Sequence, residues 1–135
     1  QQAARLGIAD SIQFEGPSGT IQTAYQAADL FVFPTLYDPF ANVCLEALAC
    51  GLPVLTTTTN GSSEVVTEGA DGYVIDGDPA GLAKNIAGKV ITFCQLPAAE
   101  RQTMRERART KAEGFTTEAN AATVVRLLAQ KESRP

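Results

Sequence analysis

The sequence predicts a doubly wound α/β fold built on a mostly parallel sheet, and three observations carry that expectation. Short apolar, β-branched runs at residues 30–33, 53–57 and 72–76 read as strands covered on both faces, which have no polar side to show. Segments of helical periodicity separate and follow them, and strands alternating with helices over such spacings form βαβ units with parallel pairing. The composition fits one soluble domain of this kind, with 135 residues of which 44% are hydrophobic and 19% charged, 11 Gly and 7 Pro.

Taken in order, residues 1–6 are helix formers without an N-cap, stopped by Gly7, so the chain is expected to begin inside a helix and to be cut at its start. Residues 11–15 alternate apolar and polar and predict a short strand, followed by a turn over 16–19 and a helix over 21–28. The strand at 30–33 ends at Pro34, a loop follows over 35–40, and a helix over 42–50 is closed by Gly51. After the strand at 53–57, Asn60 and Gly61 predict a turn, and 63–68 a short helix. Pro79 opens a helix expected to run to 93, and two further helices are expected at 102–113 and 118–131, so that C-terminal helices occupy about 97–131. Repeats, low-complexity segments and a targeting segment are not seen in the sequence.

Composition also excludes whole classes of activity. The chain has no His, so a histidine base, a Ser-His-Asp triad or a histidine-ligated metal cannot be assembled from it alone. The three Cys, at 44, 50 and 94, lack a CxxC spacing and read as reduced, mostly buried thiols of a cytoplasmic protein. No apolar run is long enough to span a bilayer. The net charge is −4, and residues 6–83 carry ten carboxylates and no Lys or Arg, so all eleven cations lie outside that stretch. The basic cluster Arg101, Arg105, Arg107, Arg109 and Lys111 reads as a solvated helix face, and nucleic acid is not an expected partner.

In a doubly wound sheet, ligands bind beyond the carboxyl ends of the strands. The loop and helix after Phe33 stand out there. Between Pro39 and Ser63 the single charged residue is Glu46, on a helix apolar enough to be expected almost wholly buried. A carboxylate so placed must reach a ligand hydroxyl or cost stability through desolvation, unless it snorkels to the surface. Asp38 precedes it by eight positions, so both carboxylates are expected to flank the helix N-terminus. The backbone amides of Phe40, Ala41, Asn42 and Val43 at that terminus, with the helix dipole, suit a diphosphate, and the carboxylates suit sugar hydroxyls. Glu64 reads as a helix cap in preference to a cleft residue, and Tyr25 and Tyr37 as packing residues.

The segments YQAADLFVFP (25–34), DPFANVCLEALACGLPV (38–54) and NGSSE (60–64) together resemble the C-terminal half of a group 1 (family 4) retaining glycosyltransferase. The resemblance runs over residues 14–78. It implies a Rossmann-like donor domain of the GT-B fold, truncated at its N-terminus, so that residues 1–135 form part of a nucleotide-sugar-binding domain. The family's Glu-x7-Glu pair falls on Asp38 and Glu46, the first toward the donor sugar and the second toward the ribose. Gly16 falls on the base side, Phe40, Ala41, Asn42 and Val43 near the sugar and diphosphate, and Gly61 in a loop facing the cleft. Two positions depart from the family: Asp38 replaces Glu, shorter by about 1.5 Å, and Ala41 replaces Gly, which is expected to narrow the sugar space.

The resemblance further implies an enzyme that moves a hexose from a nucleotide-diphosphate sugar, a UDP-sugar first, to a glycan or glycolipid such as lipopolysaccharide or another envelope polysaccharide, with retention. The acceptor would be held by a domain outside this chain, and an Arg and a Lys upstream would complete the diphosphate site, so the isolated chain is expected to be inactive. No cofactor and no metal are expected, and the location is cytoplasmic, at most peripheral at the inner face of the membrane. A GT-B sugar-nucleotide epimerase and a non-catalytic nucleotide-sugar-binding or interaction module are the alternatives.

Overall fold

The structure, a computed structural model, describes residues 1–17 and 19–132. Three strands, β1 (Phe31–Phe33), β2 (Val54–Thr57) and β3 (Gly72–Ile75), form a parallel sheet in the order β1-β2-β3. Six α-helices accompany them: α1 (Gln2–Arg5), α2 (Ile21–Ala27), α3 (Asn42–Ala49), α4 (Leu82–Gln95), α5 (Ala98–Ala112) and α6 (Thr117–Glu132). The α/β class and the parallel pairing are as the sequence predicts.

The middle strand β2 is covered on both faces, its adjacent residues pointing opposite ways, whereas β1, expected to be covered on both faces, is an edge strand with Phe31 and Phe33 half-buried and Val32 exposed. Val54 packs with Tyr25, Cys44, Ala47, Leu48 and Ala108, which places α2, α3 and α5 on one side. Leu55 packs with Tyr73, Ile75, Phe93 and Met104, with Leu82, Ile86 and Val90 of α4 against them on the other. Every residue of β2 is buried, which is why the sequence there is a run of apolar and threonine residues without alternation. Helix α3 buries Cys44, Ala47 and Leu48, one face at i, i+3, i+4 spacing. It stops where Gly51 takes φ +71°, a conformation that favours glycine.

Several expectations are corrected. No strand forms at 11–15: a 3-10 turn covers Ala9–Ser11, no neighbouring strand offers a ladder, and Phe14 is 91% exposed, so the alternation has nothing to pack against. The turn expected over 16–19 includes Ser18, which lies outside the described residues. The helix expected at 63–68 is a 3-10 turn over Gly61–Glu64. Pro79 sits in a turn ahead of α4, and α5 starts four residues earlier than predicted, directly after Pro97. Of the three thiols only Cys44 is fully buried, while Cys94 is exposed. Tyr25 packs in the core but Tyr37 is exposed.

The basic cluster is not simply a solvated face. Arg105 donates from Nη1 to the carbonyl of Ala28 at 2.8 Å. Lys111 donates to the carbonyl of Val65 at 2.8 Å and to the Thr67 hydroxyl, and pairs with Asp71 at 2.7 Å. Asp71 is nearly inaccessible and also accepts the amide of Thr67 at 2.8 Å. Two cations of α5 therefore hold acceptors in the acidic part of the chain.

Removing one partner of such a pair strands a buried charge, which costs more than the pair itself contributes. Lys111→Ala is expected to lower stability by about 3 kcal/mol in urea unfolding, and Lys111→Met combined with Asp71→Asn to recover part of the loss. Equal stability of Lys111→Ala and the parent chain contradicts the clamp.

Candidate functional site

The site lies at the carboxyl ends of β1 and β2, where two loops are stitched together. Hydroxyls of the four-threonine run at 56–59 make the first set of stitches. Thr56 donates to the carbonyl of Phe33 at 2.9 Å, and Thr57 and Thr59 both donate to the carbonyl of Thr35, at 2.8 and 2.6 Å. These bonds fix the course of the chain as it leaves β1. β-Branched residues were expected there for strand propensity; their hydroxyls do additional positioning that periodicity does not reveal.

The second set is centred on Asn60, which is 1% exposed. Its Oδ1 accepts the backbone amides of Ala41 at 3.3 Å and Ser62 at 3.1 Å. Its Nδ2 donates to the Thr56 hydroxyl at 2.9 Å and toward Cys44 Sγ at 3.7 Å. One side chain thus joins the loop before α3, strand β2, helix α3 and the following 3-10 turn. Around it the backbone of Asp38 donates to the carbonyl of Thr59 at 3.2 Å, and Gly61 donates to the carbonyl of Asp38 at 2.9 Å. Gly61 is required by closeness: a Cβ there would lie 1.8 Å from the carbonyl oxygen of Pro39.

This stitching decides which amides remain for a ligand. Phe40 donates its amide to Oδ1 of Asp38 at 2.9 Å, and Ala41 donates to Asn60. Ala41, the residue before α3, supplies no side-chain cap. The amides of Asn42 and Val43 have no hydrogen-bond acceptor among the described residues. Of the four amides expected to face an anion, two are therefore committed and two are open. Asn42 is exposed and Val43 half-buried, so both lie within reach of a ligand at the positive end of the α3 dipole.

Asp38 and Glu46 occupy the loop and the second turn of α3 as expected, but their environments differ from the prediction. Glu46 is exposed, so the desolvation penalty anticipated for a buried α3 carboxylate does not arise. The α3 face it shares is open, while burial is confined to Cys44, Ala47 and Leu48. Its charge reaches Tyr25, whose phenol is pushed up first by burial and second by Glu46. Burial likewise pushes the Cys44 thiol up, against the opposing effect of the Asn60 amide that donates toward its sulfur. Asp38 spends one oxygen on its own loop. Ala41 has φ −76° and ψ 98°, which any residue adopts, and it is buried in the core cluster. Gly16 stands apart: it is exposed, with φ +67° and open space around it. Glu64 is exposed at the end of the 3-10 turn.

Asn60 is the functional residue that sequence reasoning missed. It was read with Gly61 as turn punctuation, and its Oδ1 does cap the 3-10 turn, but its tie to Ala41 depends on a tertiary approach that no local pattern encodes. Beside it, Ser62 is 1% exposed and its hydroxyl is without a partner.

The class defined by this arrangement is a parallel α/β domain that offers an anion the open amides of a helix beyond the sheet's carboxyl edge, with carboxylates on either side. The family described as Glycosyl transferases group 1 matches residues 1–89, and the chain belongs to that family. It is 39% identical over 99 residues to a D-inositol 3-phosphate glycosyltransferase of Streptomyces scabiei, covering 71% of this chain and 22% of that protein. The corresponding protein of Thermobispora bispora is 37% identical over 110 residues, covering 79% and 26%. Among solved structures, sucrose-phosphate synthase from Thermosynechococcus elongatus superposes with a TM-score of 0.81 at 25% identity, covering 98% of this chain and 33% of that one. Anabaena HepE in complex with UDP and glucose gives 0.80 at 25% identity, covering 96% and 35%. The chain thus spans 22% to 35% of the length of these proteins, and its fold is that of GT-B glycosyltransferases.

Asn60→Ala leaves buried amides without acceptors and is expected to cost about 3 kcal/mol, read by urea unfolding. Ser62→Ala removes a hydroxyl that bonds nothing and is expected to leave stability unchanged or slightly raised. Equal costs at the two positions contradict the role assigned to Asn60.

Proposed function

We propose that the full-length protein is a glycosyltransferase that moves a hexose from a nucleotide-diphosphate sugar, a UDP-sugar first, to a hydroxyl acceptor with retention at the anomeric carbon. The observation that carries this reading is the pair of open amides, Asn42 and Val43, at the start of α3, held there by Asn60 and Gly61. A leaving diphosphate gains negative charge as the glycosidic bond breaks, and preorganised amides aimed at it stabilise the transition state more than the ground state. Asp38 and Glu46 flank the amides as acceptors for hydroxyls, with Glu46 assigned to the ribose and Asp38 to the sugar; the uncommitted oxygen of Asp38 serves the sugar. Phe40 and Ala41 shape the same loop, and Gly61 permits its close approach to the neighbouring turn.

Cations from outside residues 6–83 complete the diphosphate site, because that stretch, which holds the open amides and both carboxylates, carries no Lys or Arg. HepE, described with UDP, with UDP-glucose and with UDP and glucose, supports the choice of a UDP-sugar. The names of the curated relatives support a cyclitol phosphate as acceptor. WaaG, described as involved in lipopolysaccharide biosynthesis and 27% identical with a TM-score of 0.67, supports an envelope glycan. Among the described residues no helix is long and apolar enough to cross a membrane.

Glu46→Ala in the full-length protein is the direct test, since an exposed side chain can be removed without disturbing the core. Calorimetric affinity for UDP-glucose is expected to fall at least about tenfold with the melting temperature unchanged. Unaltered affinity for UDP-, GDP- and ADP-sugars alike would sink the assignment and favour a non-catalytic module; binding retained without transfer to any acceptor would favour an epimerase.

A further inference from the structure

The peptide unit between Pro39 and Phe40 joins the loop after β1 to the start of α3, and it is held at both ends. Its carbonyl oxygen lies so close to Gly61 that no Cβ fits there. Its amide is taken by Oδ1 of Asp38, at 2.9 Å. Asp38 is itself anchored through its backbone, donating to the carbonyl of Thr59 at 3.2 Å and accepting the amide of Gly61 at 2.9 Å. The next amide, that of Ala41, is bound by Asn60. The two amides without acceptors, Asn42 and Val43, follow directly.

Residue types explain how this turn closes. Pro39 has no amide and its ring fixes φ, so the first amide that a side chain at position 38 can meet is that of Phe40. A side-chain turn of this kind uses the short arm of Asp or Asn, which mimics a backbone turn. Glu carries one methylene more and does not close it, and Ala offers no acceptor. Four residues at position 38 therefore separate two properties: Asp has reach and charge, Asn reach alone, Glu charge alone, and Ala neither.

We infer that Asp38 is a positioning residue for the diphosphate, acting through the amide of Phe40 to hold Asn42 and Val43 in place, in addition to the sugar contact assigned to its other oxygen. The identity of the anion rests on the donor reading above. The charge of Asp38 opposes this effect, since a carboxylate near a diphosphate repels it. The turn strengthens binding and the charge weakens it, so substitution distinguishes them.

The test uses the full-length protein and UDP alone, which has no hexose for Asp38 to contact. Calorimetric affinity is measured for the parent, Asp38→Asn, Asp38→Ala and Asp38→Glu, together with backbone amide shifts and hydrogen exchange of the free proteins. Asp38→Asn is expected to bind UDP as tightly as the parent or more tightly, whereas Asp38→Ala and Asp38→Glu weaken about fivefold to tenfold. In those two variants alone the Phe40 amide exchanges faster and the Asn42 and Val43 resonances move. A tighter complex for Asp38→Ala as well as Asp38→Asn shows charge acting without the turn and overturns the inference. Equal affinities across the series, or Phe40 exchange that no substitution alters, also overturn it. If no protein in the series binds UDP while exchange and shifts follow the expected pattern, the turn still positions the α3 amides and the donor reading alone fails.

Discussion

The buried amide of Asn60 is the interaction on which the site depends. A helix N-terminus binds an anion only if its amides are free, point outward and stay in place, and the loop before α3 has no intrinsic reason to do so. Asn60 takes the amide of Ala41 and the amide of Ser62 on one oxygen and returns its own hydrogens to Thr56 and Cys44. Four groups, those of Ala41 and Cys44 distant in sequence and those of Thr56 and Ser62 near, meet one side chain in a place where an unpaired polar atom costs about 1–3 kcal/mol. Gly61 makes the arrangement possible, because any side chain would collide with Pro39.

The same loops set the chemistry. The committed amides of Phe40 and Ala41 turn the chain, and the amides of Asn42 and Val43 have no acceptor among the described residues. Asp38 belongs to both functions, with one oxygen in the turn. Its shorter side chain suits that turn, which closes over two residues from Asp38 to Phe40.

Much of this was legible in the sequence where residues speak locally. The strands at Phe31–Phe33 and Val54–Thr57 and the α3 face with its Gly51 stop follow from apolar runs and helical spacing, but burial on both faces holds only for Val54–Thr57, because β1 lies at the sheet edge and leaves Val32 exposed. Features set by tertiary approach did not follow. Residues 11–15 alternate as a strand should, but a strand requires a partner. Glu46 looked buried because α3 is apolar, yet only one face of α3 is covered. Arg105 and Lys111 looked like surface charge because sequence spacing cannot show that a long side chain reaches Ala28 or Asp71.

The central claim is that the amides of Asn42 and Val43, held by Asn60, receive the diphosphate. Backbone amide chemical shifts of the full-length protein, followed during titration with UDP, test it most directly. The account predicts that the largest downfield movements occur at Asn42 and Val43, with Phe40 and Ala41 moving less because their amides already have partners. Saturable UDP binding that leaves Asn42 and Val43 unmoved, with the shifts centred elsewhere, would contradict it.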